Sequence, residues 1–214
     1  MVERAFLNMA LISQERFDQA ETYAQVRERI IAGGGRQAHA LGYGEWAANN
    51  IAADLGAFSS LDEPVNVLVL SEDWCPDCTD NLPILNRIAE KTGKLRLRIL
   101  PRDENRDLAD QFLWNGEYNK IPTIIFLDRD LNEIGHVIER PDSVTEMRNE
   151  KRTAFHAEHP EFGGYDANLR EMPAELRDAR LNAETDLKRE TADAAVREVV
   201  AWLSAVVALT PVGD

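Results

Sequence analysis

The 214-residue chain has only two cysteines, Cys75 and Cys78, two residues apart and directly after a tryptophan in the stretch VLVLSEDWCPDC. Two thiols at that spacing can form a redox couple, supply half of a metal site, or simply pack. Their placement argues for the first. The apolar run Val65 to Leu70 reads as a short buried strand, and PDCTDNLPILNRIAEKTG reads as a helix ended by Gly93, so Cys75 stands at a helix start. Unpaired N–H groups and the helix dipole there stabilise a thiolate, which can attack a disulfide. Cys78, one helical turn on and facing the same side, can attack the resulting mixed disulfide and release the product. A zinc site would recruit His156 and His159, but their His-x-x-His spacing is tighter than zinc sites usually use, and no metal is expected. His39 and His136 have no partner in the sequence and read as structural. GGGR at Gly33 to Arg36 lacks the Gly-Lys-Ser/Thr ending of a phosphate loop and reads as a helix stop.

The elements that must hold this pair follow from periodicity. From Ser13 to Phe58 the signals are helical: Phe17, Ala20, Ala24 and Ile31 fall near a 3.6-residue period up to the three glycines, and a second short helix spans Glu45 to Leu55. Between Pro64 and Pro141 strands and helices alternate. LRLRIL is a strand, ENRDLADQFLW a helix, and TIIFLDRDLNEIGHVI two strands turning at Asp128 to Leu131. From Asp142 the chain is helical again, with AFHAEHPEFGGYD as a loop. Val196, Val199, Leu203 and Val206 give the last helix a face that must be buried, whereas the charged sequence up to Ala195 reads as solvated. The segments 1–63, 64–141 and 142–214 are therefore expected to be an N-terminal helical extension, a core domain and a C-terminal helical extension packed on it.

Composition narrows the partners. With 38 acidic against 24 basic side chains, a net charge of −14 repels phosphate backbones and anionic lipid, so nucleic acid and membrane are poor candidates. The N-terminal MVERAFLNMALISQERF is broken by charges and Asn8 before a long apolar run forms, and does not read as a signal peptide. A cytoplasmic location is expected, where a Cys-x-x-Cys is more often redox-active or metal-binding than structural.

VLVLSEDWCPDCTDNLPIL resembles the active-site strand, loop and helix of the thioredoxin superfamily, with Trp74 before the first cysteine and Pro83 five residues after the second. KIPT resembles the Ile-Pro-Thr loop of the same family. The resemblance runs from Val65 to about Ile138. It implies an α/β thioredoxin-like fold, a central mixed sheet of about four strands flanked by helices. It also implies Cys75 and Cys78 as the catalytic pair, and a substrate-binding surface of Trp74, the Ile121 backbone and Pro122 as a cis-proline facing the cysteines. No cofactor is implied.

Two departures matter. The buried aspartate that thioredoxins keep below the cysteines falls on Val69 and its lysine partner on Ile99, so both halves of that polar pair are apolar. The proton acceptor for Cys78 is then expected among Glu72, Asp73, Asp77 and Asp80, with Asp77 or Asp73 acting through water. These carboxylates should also oppose a thiolate at Cys75 by about 0.2–1 kcal/mol each, roughly cancelling the 0.3–1 kcal/mol of the helix terminus. A reducing couple is expected.

The leading functional reading is a dithiol-disulfide oxidoreductase reducing protein disulfides, with thioredoxin reductase or another dithiol as electron donor. A glutaredoxin-like enzyme is the nearest rival. IPTIIFLDRD lacks the Gly-Gly and Asp that hold glutathione after the cis-proline, and acidic surroundings disfavour that anionic tripeptide. The other rival is a thioredoxin-fold interaction module with incidental cysteines. The extensions make up more than half of the chain and point to a dedicated partner or a homodimer interface.

Overall fold

The computed structural model describes residues 11–50, 52–164 and 166–210. Most of the N-terminal stretch read for a leader lies outside them, as do Ile51 of the expected second helix and Tyr165 of the Gly-Gly loop.

At the centre is a four-stranded mixed sheet in the order β2-β1-β3-β4: β1 (Val65–Ser71), β2 (Leu95–Pro101), β3 (Thr123–Leu127) and β4 (Glu133–Ile138). β1 and β3 are buried at every position, which explains their largely apolar sequences, whereas β2 buries alternate residues through its first half. β1 runs parallel to β2 and antiparallel to β3. The β1–β2 crossover is a helix, Pro76–Thr92, ended by Gly93 at φ 65°, a left-handed conformation that glycine adopts without a Cβ penalty.

The N-terminal region holds three helices before a short turn: α1 (Gln14–Gln19), α2 (Tyr23–Gly33), α3 (Gly35–Asn50) and the single turn α4 (Gly56–Ser59). Two expectations change here. The chain breaks after Gln19 because Glu21 pairs with the outer edge of β2, exchanging backbone hydrogen bonds of 2.9 and 2.8 Å with Ile99. α2 restarts on a Thr22/Gln25 capping box, so its buried stripe is Tyr23, Val26 and Ile30, leaving Ile31 45% exposed. The glycines stop α2 as expected, but α3 begins at once and ends before the expected Leu55.

We number the crossover helix α5. The next helix, α6, is only Arg106–Ala109, shorter than expected. Leu108 and Phe112 are buried one turn apart, yet the chain turns through Asn115 and Gly116, both at positive φ, to return toward β3. Beyond β4 come α7 (Asp142–Glu158), a short 3-10 turn (Pro160–Phe162), α8 (Ala174–Glu190) and α9 (Ala192–Val207).

α9 buries Val196, Val199, Leu203 and Val206 and packs on β4. α3 packs along α5, so α5 is enclosed and buries nine residues, polar ones included. One apolar core runs through all three sequence segments, joining Phe17 and Leu41 to Val67 and to Leu203. The charged half of the C-terminal region is not simply solvated. Arg180 is buried and donates to the Phe162 and Gly164 carbonyls, and Lys188 reaches Asp80 on α5.

The α3–α5 contact is unusually close at one point. Pro83 inside α5 has no N–H to give the Thr79 carbonyl, and that oxygen faces Gly44, where a Cβ would sit 2.1 Å from it. Only glycine fits.

Candidate active site

Cys75 is the N-cap residue of α5 and Pro76 its first helical residue, a position where a missing N–H costs nothing. The Cys75 sulfur accepts the Cys78 backbone N–H at 3.3 Å, so it occupies the place a serine or aspartate oxygen takes in an ordinary N-cap. Its thiol donates to the Ile121 carbonyl at 3.5 Å, and the Ile121–Pro122 peptide bond is cis. The Asn119–Thr123 turn thus faces the cysteines. Cys75 is 4% exposed and Cys78 1%; both are free thiols. Trp74 is 54% exposed, with the Arg102 guanidinium 5.8 Å above its ring.

Cys78 sits behind Cys75. Burial pushes its thiol well above the ordinary range, and the neighbouring Cys75 sulfur pushes the same way; the Ser71 side chain and the Glu72 backbone act in the opposite sense. Beneath the pair, Val69 and Ile99 are fully or nearly fully buried and are paired neighbours on β1 and β2. The acid and lysine positions are therefore one apolar contact.

The four acidic residues near the cysteines each have a partner. Asp73 is held bidentately by Arg29 of α2, at 2.7 and 2.9 Å, and Glu72 accepts the Asp103 N–H at 2.7 Å. Asp77 pairs with Arg140, and Arg148 of α7 stands 3.8 Å away. Asp80 takes Arg148 at 3.0 Å and Lys188 of α8 at 2.6 Å. Burial pulls the Lys188 ammonium below its usual value, and Asp80 opposes this. The two carboxylates expected to accept the Cys78 proton, Asp77 and Asp73, thus already hold guanidinium groups, and of the four acids expected to oppose a Cys75 thiolate, Asp73, Asp77 and Asp80 are paired with cations.

A family model described as thioredoxin matches residues 45–153, from within α3 to within α7. The chain belongs to the thioredoxin superfamily. Among solved structures, a protein of unknown function from Pseudomonas aeruginosa is 19% identical, covering 92% of this chain and 98% of that one with a TM-score of 0.62. An HIV epitope-scaffold is 18% identical, covering 94% and 100% with a TM-score of 0.60. Both likenesses concern the fold, helical extensions included. No curated protein matches.

In this thioredoxin-superfamily chain the extensions build something onto the face that carries the cysteines. α3, the start of α5, α7 and α8 enclose a cleft of about 760 Å³ onto which Trp74, Cys75 and Pro76 open. His39, read from sequence as structural, lines its wall, whereas His136 is held by Glu133 at 2.5 Å and lies against Phe112. Among the described residues no three His, Cys, Asp or Glu side chains cluster as a metal site, and no helix is long and apolar enough to cross a membrane. Sequence reasoning missed Ser71, Arg29, Arg140, Arg148 and Lys188. Ser71 carried a signal, being polar where the apolar run Val67 to Leu70 ends just before the cysteine loop. The cations carried none, since Arg148 and Lys188 lie 68 and 108 residues from their carboxylate partner.

Proposed function

We propose that the protein is a dithiol-disulfide oxidoreductase in which Cys75 attacks and Cys78 resolves, with protein disulfides as its substrates. One observation carries the reading: the Cys75 sulfur caps the active-site helix, accepts the Cys78 N–H, and opens onto a cleft with the second thiol buried behind it. As a thiolate, Cys75 attacks one sulfur of a substrate disulfide; the S–S bond breaks and the other sulfur leaves as a thiolate. The buried Cys78 thiol then loses its proton through water and attacks the Cys75 sulfur. This breaks the mixed disulfide, leaves a Cys75–Cys78 disulfide and releases the second substrate sulfur as a thiolate; the two substrate thiolates take up from water the equivalent of the protons that Cys75 and Cys78 lost. Two electrons and two protons pass to the substrate, and an external dithiol donor, such as thioredoxin reductase supplies through its own dithiol, restores the pair. Trp74, the Ile121 carbonyl and Pro122 border the sulfur and are assigned to substrate contact. Asp77 and Asp73 can take the proton only through water, since their oxygens are engaged by arginines.

Insulin reduction by the full-length protein, supplied with a dithiol donor, tests the activity. Cys78→Ser should trap a mixed disulfide on Cys75, and Cys75→Ser should trap none. Absence of turnover, or adducts mapping to Cys78, overturns the assignment.

A further inference from the structure

The cleft beside Cys75 has a charge opposite to that of the protein. Seven Lys and Arg line it against five Asp and Glu, in a chain with 24 basic and 38 acidic residues. One of the five, Asp73, is taken up by Arg29, which stands outside the cleft. At the inner end, Arg140, Arg148 and Lys188 face only Asp77 and Asp80, which leaves one positive charge in excess. Within this cluster the Arg148 Nε is buried without a hydrogen-bond partner. At the mouth, Arg36 of α3 adds exposed positive charge, as does Lys151 of α7, which stands 3.7 Å from the exposed Glu190. A volume of about 760 Å³ is that of a small-molecule site, and a cation-lined cleft with low-dielectric walls concentrates anions even on an acidic protein.

We infer that this cleft binds the carboxylates of a low-molecular-weight disulfide and presents its S–S bond to Cys75. The inference rests on the dithiol reading and adds to it a substrate class other than protein disulfides. The chemistry balances as before: the small disulfide accepts two electrons and two protons from the Cys75/Cys78 dithiol and leaves as two carboxylated thiols.

The test uses three small disulfides that differ chiefly in charge: 3,3′-dithiodipropionate, bis(2-hydroxyethyl) disulfide and cystamine. Each is mixed with pre-reduced full-length protein freed of reductant, and oxidation of Cys75 and Cys78 is followed by thiol titration. Rates are divided by those of a simple free thiol with the same disulfide. The dianion should then exceed the dication by about tenfold or more, the gap should shrink as salt rises from about 0.05 to 0.5 M, and Arg36→Glu with Lys151→Glu should close it further. Equal normalised rates, or a preference for cystamine, overturn the inference while leaving the oxidoreductase reading in place. Reaction with none of the three removes the dithiol reading. Calorimetry on Cys75→Ser then separates the two ideas: binding of dithiodipropionate but not cystamine keeps the anion site, and binding of neither removes it too.

Discussion

Gly44 is where the N-terminal extension meets the active-site helix most closely, and replacing it gives a measurable consequence. A Cβ there would lie 2.1 Å from the Thr79 carbonyl oxygen and 3.2 Å from the Pro83 Cγ. Restoring ordinary contact moves one helix against the other by about 1 Å, and close-packed interiors resist such a shift. The first obstacle is backbone, so no side-chain rotation relieves it. Overpacking of this kind costs about 1–3 kcal/mol, with the upper end expected here, and alanine returns about 1 kcal/mol through helix propensity. Gly44→Ala should therefore lose about 2 kcal/mol, which for a chain of this size lowers Tm by about 4–8 °C. Gly42 is the control. It lies two residues earlier in the same helix, is exposed, and has nothing within 4 Å of an added Cβ. Gly42→Ala should gain up to about 1 kcal/mol and raise Tm by about 2–4 °C. Thermal unfolding of the two variants beside the parent protein measures the contrast. If both substitutions shift Tm alike, or if Gly44→Ala is neutral, α3 does not abut the Thr79 carbonyl and the argument fails. Because Thr79 directly follows Cys78, disulfide reduction by Gly44→Ala should fall as well, and by Gly42→Ala it should not.

Burial holds the Cys78 thiol above its ordinary range, so over neutral pH only a small fraction is thiolate, and that fraction rises about tenfold per pH unit. Resolution of the mixed disulfide, followed in single turnovers, should accelerate with pH on that slope between pH 6 and 8; a flat profile would contradict it. Ser71 acts on Cys78 in the opposite sense, so Ser71→Ala should slow resolution by the worth of one hydrogen bond, about 0.5–1.5 kcal/mol or roughly two- to tenfold, with attack by Cys75 unchanged. Val69→Asp installs the acid that the resemblance to thioredoxins would place beneath the pair. It should quicken resolution but cost a few kcal/mol in denaturant unfolding, since Ile99 opposite offers no partner, and Ile99→Lys added to it should recover part of that loss.

Much of the fold was legible because its signals are local. Val65 to Leu70 of β1 read as a short, largely apolar run, Gly93 marks the end of α5, and the 3.6-residue spacing from Val196 to Val206 shows which face of α9 must be covered. Where the reading slipped, a tertiary contact had overridden a local pattern. Glu21 pairs with Ile99, breaking the expected N-terminal helix and shifting its phase, so Ile30 is buried and Ile31 is not. ENRDLADQFLW has helical periodicity, yet the chain must return across Cys75 through Ile121 and Pro122, and only one helical turn forms.

The site divides in the same way. The thiols, Trp74 and the cis-proline belong to two short motifs and could be read from them. The electrostatics could not, because the acids are sequence neighbours of the cysteines while their partners are not. SEDWCPDCTD shows four carboxylates around two thiols and suggests repulsion of any anion. Folding brings Arg29 from α2, Arg140 from just after β4, Arg148 from α7 and Lys188 from α8 to three of those four carboxylates, so that four cations match four acids. Charge counted along the chain thus overstates the negative charge around the sulfur. The extensions supply three of the four cations: α3, α7 and α8 wall the cleft, α9 holds the C-terminal region against β4, and α2 neutralises Asp73. Without them Asp77 would keep Arg140, but Asp73 and Asp80 would lose their cations. With them, Cys75 borders a cleft lined by seven Lys and Arg against five Asp and Glu, and the preference for an anionic disulfide that we infer rests on that excess.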